Sequence, residues 1–124
     1  MLKRSFYGNI FTFCVEKIVT SNLGIVYSTF ESKESATQLA RTVIGEKLAA
    51  CVNILPAATS LYIWNEQLKE DQEFVAIFKT SGEKLDALTK RVEQLHPYDC
   101  PCVIVLREAE VNNAYRQWVE SSLK

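Results

Sequence analysis

Apolar and polar positions change period several times along this chain, and each change marks an element. Leu23 to Phe30 is apolar, with Ile25, Val26 and Tyr27 together and a polar pair, Ser28 and Thr29, near the end; this is a strand pattern. Ser32 stops it and can cap a helix whose apolar positions Ala36, Leu39, Ala40, Val43, Ile44 and Leu48 fall near i, i+3, i+4 and i+7. Ala50 to Ile54 is small or β-branched, Pro56 interrupts, and Leu61, Tyr62, Ile63 and Trp64 resume strand character. The polar turn Asn65, Glu66, Gln67 leads to a return strand, Glu73 to Thr80. The two strands predict a long antiparallel hairpin with Pro56 at a bulge or an edge. Ser81 and Gly82 open a second helix, with Leu85, Leu88, Val92 and Leu95 on one face, which runs to His96 and ends at Pro97. The strand Val103 to Leu106, a charged turn and a last short helix with Tyr115, Trp118 and Val119 complete the chain.

The order is strand, helix, two strands, helix, strand, final helix. It predicts an α+β, ferredoxin-like split βαβ arrangement: one antiparallel sheet with helices on one face. The hairpin is out of proportion to its cover. Fifteen residues from Ala50 to Trp64 extend about 50 Å, whereas a helix of sixteen residues reaches about 24 Å. The uncovered end carries Leu61, Tyr62, Ile63 and Trp64 beside an unpaired edge, so neighbouring copies are expected to complete each other's sheets in a closed oligomer. The alternative is a hairpin that curls its aromatics back onto its own subunit.

Composition narrows the function. A chain of 124 residues, 48% hydrophobic, can bury one core and predicts one domain. Fourteen Lys and Arg against fifteen Asp and Glu, with no basic run among aromatics, argue against a nucleic-acid partner. No window reaches the roughly eighteen apolar residues of a membrane span. Residues 1–20 faintly imitate a secretory signal, with Lys3 and Arg4 before Ile10 to Val15, but Asn9 and Thr12 break the apolar segment and no small-residue cleavage site follows. They are read as a cytoplasmic extension ahead of a domain at 21–124. Four cysteines in a chain with an adequate core read as reduced thiols of a cytoplasmic protein.

The chemistry concentrates at His96, Pro97, Tyr98, Asp99, Cys100, Pro101 and Cys102, where the sole histidine, two of four cysteines and two of three prolines occupy seven residues between a helix and a strand. The prolines stiffen the link. A cysteine nucleophile paired with His96 is disfavoured, because only Asp99 is near enough in sequence to orient the imidazole and sequence neighbours seldom build a triad; no enzyme activity is expected. Glycines form no phosphate-binding pattern, so no organic cofactor is expected. Cys100 and Cys102, at i and i+2 in an extended segment, face one way and with His96 suit Cu(I) or zinc. Two readings stay open: metal ligands, or small buried thiols that merely pack. Tyr62 and Trp64 read as interface core.

Several segments together look like the CutA family of divalent cation tolerance proteins. They are Ile25 to Thr29; Lys47 to Pro56; Ser60 to Trp64; Phe78, Lys79 and Thr80; and His96, Pro97 and Tyr98 with Pro101. The resemblance spans about residues 23 to 123 and says nothing of residues 1–20. It implies a ferredoxin-like homotrimer with hairpins around a three-fold axis, a role in the response to metal ions, copper binding and no catalysis. The matching positions are Cys51 and His96. Family members usually carry Glu where this chain has Asp99 and Cys102; the second change puts soft sulfur in place of hard oxygen and shifts preference toward Cu(I). The expected function is a homotrimer binding copper or another divalent ion, weakly or transiently, through His96, Cys100, Cys102 and Cys51. A signalling or adaptor trimer of the PII kind, taking a small molecule or protein in its intersubunit clefts, is the alternative.

Overall fold

The computed structural model describes residues 18–124, with side chains from Leu23 onward. Residues 1–17, most of the expected extension, lie outside the described residues. Seven elements follow one another: β1 (Ile18–Phe30), α1 (Lys33–Gly45), β2 (Cys51–Trp64), β3 (Gln67–Ser81), α2 (Leu85–Leu95), β4 (Val103–Asn112) and α3 (Asn113–Ser122). β1 thus begins inside the segment assigned to the extension. The strands form a single sheet in the order β2-β3-β1-β4, and every neighbouring pair is antiparallel. The architecture is α+β, as the pattern of elements implies.

Local chemistry sets the boundaries. Ser32 is extended, and its hydroxyl accepts the Ser35 backbone N–H at 3.0 Å, the expected N-cap. The hairpin turns on Asn65 and Glu66, both at positive φ (51° and 66°), between the paired residues Trp64 and Gln67; two such residues make the tight turn that suits strand twist. Pairing of β2 with β3 is interrupted between Leu55 and Ala58, so Pro56 and Ala57 form the expected bulge, where proline's missing N–H costs no ladder bond.

Two layers pack on opposite faces of the sheet. In β1, Val26 and Phe30 point into a core with Leu39 and Val43 of α1, Phe78 of β3, and Leu88 and Val92 of α2. Residues of the other parity face away, and Leu23 among them packs instead with Val119 and Leu123. Thus α1 and α2 share a face, but α3 covers one end of the opposite face, correcting the expectation that the helices lie on one side. The reason is parity: only an odd-numbered β1 position reaches the face that α3 meets.

Two further expectations are corrected. The last strand does not end at Leu106; it continues to Asn112 because β1 extends back to Ile18 and offers Thr20, Val19 and Ile18 as partners to Glu110, Val111 and Asn112. The charged residues that resembled a turn mark an irregularity in that pairing, with Glu108 at φ 55°. Ile44 is 42% exposed although it lies on the apolar stripe of α1, while Ala36, Leu39, Ala40 and Val43 are buried.

One close approach depends on glycine. A Cβ at Gly24 would lie 2.6 to 2.9 Å from three Leu85 side-chain atoms, and Leu85 is 1% exposed, so it has no free space to enter. Gly45, at the end of α1, has nothing within 4 Å of the position a methyl group would take there. Gly24→Ala is therefore expected to destabilise the fold by about 1 to 3 kcal/mol, and Gly45→Ala to stabilise it by about 0.5 to 1 kcal/mol. Urea denaturation of both variants checks the pair, and equal effects of one sign would refute the packing argument.

Candidate functional site

The junction between α2 and β4 is built on His96. Its ring is 8% exposed and stacks on Phe30, with centroids 4.3 Å apart and planes inclined by 18°. Nδ1 accepts the Tyr98 backbone N–H at 3.2 Å, which leaves the proton on Nε2, and Nε2 donates to the Thr29 carbonyl at 2.8 Å. Both nitrogens of a neutral imidazole are thus engaged. Burial holds the His96 pKa below its ordinary value, against the opposing influence of the Thr29 bond and the Glu73 carboxylate. Tyr98 meets His96 edge-on, with centroids 4.7 Å apart, and its hydroxyl donates to Glu73 Oε2 at 2.9 Å. Burial, then that bond, push the Tyr98 phenol up. At the other end of the link, the buried Ser28 hydroxyl donates to the Cys102 carbonyl at 2.6 Å.

These anchors hold Tyr98, Asp99, Cys100 and Cys102 along one side of a cavity of about 620 Å³. Thr29 at the end of β1, Glu31 just past it, and Tyr62, Trp64, Asp71, Gln72 and Glu73 of the hairpin line the rest of it. The Tyr62 hydroxyl donates to Asp71. Four carboxylates and no Lys or Arg are found among the described residues lining this space. Such a wall attracts cations. Burial, then Glu73, raise the Cys102 thiol pKa, which favours the protonated thiol.

The structure separates the four residues expected to bind metal. Cys100 and Cys102 line the cavity; His96 stands behind its wall with its nitrogens engaged. Cys51 pairs with Lys79, six positions along β3 from Glu73, about 20 Å away at the strand rise. There it borders Tyr115, whose pKa burial and then Cys51 push up to about 12, and whose ring has the Lys79 Nζ 5.5 Å from its centroid. Among the described residues no three His, Cys, Asp or Glu side chains gather closely enough to hold a metal ion. The residues the sequence did not flag are Glu31, Asp71 and Glu73. Tyr62, Trp64, Asp71 and Glu73 share a hairpin face by alternation, a signal available in the sequence, but the link from Glu73 to Tyr98 joins residues 25 positions apart and only the fold reveals it.

Residues 24–122 match the family model described as CutA1 divalent ion tolerance protein. The chain is 40% identical over 98 residues to the divalent-cation tolerance protein CutA of Thermus thermophilus, covering 79% of this chain and 95% of that one. It is 43% identical over 100 residues to protein CutA 1, chloroplastic, of Oryza sativa, covering 81% of this chain; it spans 56% of the rice protein's length. Among solved structures, CutA from Synechococcus elongatus superposes with a TM-score of 0.81 at 36% identity, covering 87% of this chain and 96% of that one. The Oryza sativa CutA1 structure gives 0.78 at 42% identity, over 85% and 96%.

Because His96 is the only histidine in the chain, its linkage to folding is readable. Its folded pKa lies below the unfolded value, so the unfolded chain takes up the proton first as pH falls. The stability from the neutral ring is complete above about pH 6.5 and is lost progressively below it, until the folded pKa is reached. Urea midpoints between pH 7.5 and 5 are expected to fall in the native protein and to fall less in His96→Gln. Parallel slopes in the two proteins would assign that pH dependence to carboxylates instead.

Proposed function

The chain belongs to the CutA1 divalent ion tolerance family, and we propose on that premise that it acts as a homotrimer in the response to copper or other divalent metal ions. The observation that carries the assembly is exposed apolar surface on a hairpin that the helices do not reach: Leu61 is 61% exposed, Ile63 66% and Leu68 69%. Tyr62 and Trp64, which alternate with Leu61 and Ile63, put apolar surface on the other face of the ribbon, the sheet face that Ile104 and Leu106 share and that α3 leaves open. Surfaces of this kind are rarely left to water. In this reading the ferredoxin-like order of strands is shared by three copies whose hairpins cover one another, with Leu61, Tyr62, Ile63 and Trp64 at the contacts.

Metal enters through the acidic cavity. Cys100 and Cys102 are its soft donors, and the surrounding carboxylates raise the local concentration of cations. One chain supplies no group of three ligands among its described residues, so the ion is held weakly, or is completed by donors from a second subunit. His96 serves this site by fixing the link, and Cys51, opposite Lys79 at the far end of the β2-β3 pair, lies too far away to share it. No catalytic step and no organic cofactor is assigned. The cytoplasm, where thiols stay reduced, is the compartment that suits Cys100 and Cys102. The signalling alternative is not favoured: the relatives are named for cation tolerance.

Light scattering at micromolar concentration is expected to give about three times the 14.1 kDa chain mass, and Leu61→Asp with Ile63→Asp to shift it toward one. Titration of the reduced protein with Cu(I) is expected to lose its tightest site in Cys100→Ser and Cys102→Ser while the assembly persists. A monomeric native protein ends the assembly reading. Unchanged copper stoichiometry and affinity in both cysteine variants removes the thiols from it.

A further inference from the structure

The bend in the hairpin sits where the ribbon leaves the sheet. β3 keeps β1 as a neighbour as far as Phe74, which pairs with Phe30, the last residue of β1. Phe74 also faces the break in β2: Leu55 pairs with Val75 and Ala58 with Glu73, so Pro56 and Ala57 together oppose Phe74 alone. Ala57 is at φ 61°, a left-handed conformation unfavourable for any residue with a Cβ. One extra residue on one strand bends the pair and increases its twist. Past this point, among the described residues, the pairs from Ala58 with Glu73 to Trp64 with Gln67 have only each other, and a two-stranded ribbon twists more than a wide sheet.

A brace spans that bend. The Tyr98 hydroxyl donates to Glu73 Oε2 at 2.9 Å, and Glu73 is the β3 partner of Ala58, the first paired residue of β2 past the bulge. Tyr98 is itself held by His96, which accepts its backbone N–H, meets its ring edge-on, stacks on Phe30 and donates to the Thr29 carbonyl. The path from Phe30 through His96 and Tyr98 thus reaches β3 at Glu73, next to Phe74, where the pairing of Phe30 reaches it directly. The two routes close a triangle across the base of the ribbon. A triangle resists a change of angle that a single strand pair would permit.

We propose that the bulge at Pro56 and Ala57 and the bond from Tyr98 to Glu73 together set the angle of the ribbon, and that this angle fixes how many copies close into one assembly. This rests on the assembly reading above and adds to it the element that selects the copy number. A ribbon laid on the sheet of the next copy is a head-to-tail contact, which closes into a ring only at particular rotations and otherwise runs on as an open chain. The ribbon past the bulge reaches about 20 Å, so a turn of about 10° at its base moves the tip by about 3.5 Å. Close-packed apolar contacts do not absorb such a shift. Leu61 and Ile63 on one face and Tyr62 and Trp64 on the other all ride on this lever.

Native mass spectrometry and light scattering on the full-length protein test it. Deleting Ala57, with Pro56→Val to restore a backbone donor, leaves one residue opposite Phe74. It keeps every cross-strand pair and the face of each side chain from Ala58 to Trp64, so the ribbon straightens while its surface stays the same. Copy numbers other than three, or open-ended chains, are expected in place of the trimer. Tyr98→Phe removes only the hydroxyl and is expected to keep the fold while raising the concentration for half-dissociation at least about tenfold. Adding Glu73→Ala to Tyr98→Phe is expected to cost little more, because the bond is already lost. A merely weakened fold gives fewer folded molecules and no new copy number, so the mass of the deletion variant separates the two effects. Either variant, folded by circular dichroism and still trimeric with the native dissociation profile, overturns the proposal; if the deletion variant does not fold, Tyr98→Phe decides it. A monomeric native protein overturns the assembly reading, and the angle-setting role with it.

Discussion

The reach of the β2-β3 hairpin is the constraint from which the rest follows. Strands of 14 and 15 residues extend about 46 to 50 Å, and helices of 13 and 11 residues cover about 17 to 20 Å. No packing of α1 and α2 can shield such a ribbon along its length. Its inner half is therefore a core strand pair, with Ala76 and Phe78 fully buried, while its outer half carries large apolar groups in the open. Pro56 and Ala57 sit between these halves, at the break in pairing after Leu55, where a bulge bends and twists a strand. The outer ribbon can thus be aimed independently of the sheet that anchors it.

His96 connects that sheet to the surface. A ring stacked on Phe30 and bonded to the Thr29 carbonyl ties the end of α2 to the end of β1, and the Tyr98 N–H on Nδ1 then fixes how the chain leaves the helix. The two prolines restrict what remains, and Ser28 secures the far end at Cys102. A short link with so many fixed points presents side chains in set positions at small entropic cost on binding. The histidine's value lies in geometry: a protonated ring would lose its Nδ1 acceptor and break the arrangement.

The elements were legible where burial imposes a period. The α1 stripe, the hairpin, the Pro56 bulge and the Ser32 cap all follow from residues acting on their neighbours. The end of β4 was not, because Arg107 to Glu110 have no strand signature of their own and are paired only because β1 extends to meet them. The side of the sheet taken by α3 was likewise hidden, since an apolar helix face does not say which sheet face it will meet. For the site, the structure sets Cys100 and Cys102 of the seven-residue link along one cavity and His96 apart from it. Proximity in sequence grouped His96 with Cys100 and Cys102, but the ring is buried and both its nitrogens are engaged by the backbone. The carboxylates that join Asp99 around the cavity are Glu31, just past the end of β1, and Asp71 and Glu73 of β3, at separations no local pattern encodes.

Glu73 stands where these features meet. It accepts the Tyr98 hydroxyl, faces Cys102, and lies one alternation from Asp71. As a fixed negative charge it opposes ionisation of the Cys102 thiol, after burial, yet it favours any cation that enters. A soft metal ion must therefore displace a proton from sulfur against that charge, and its affinity rises with pH.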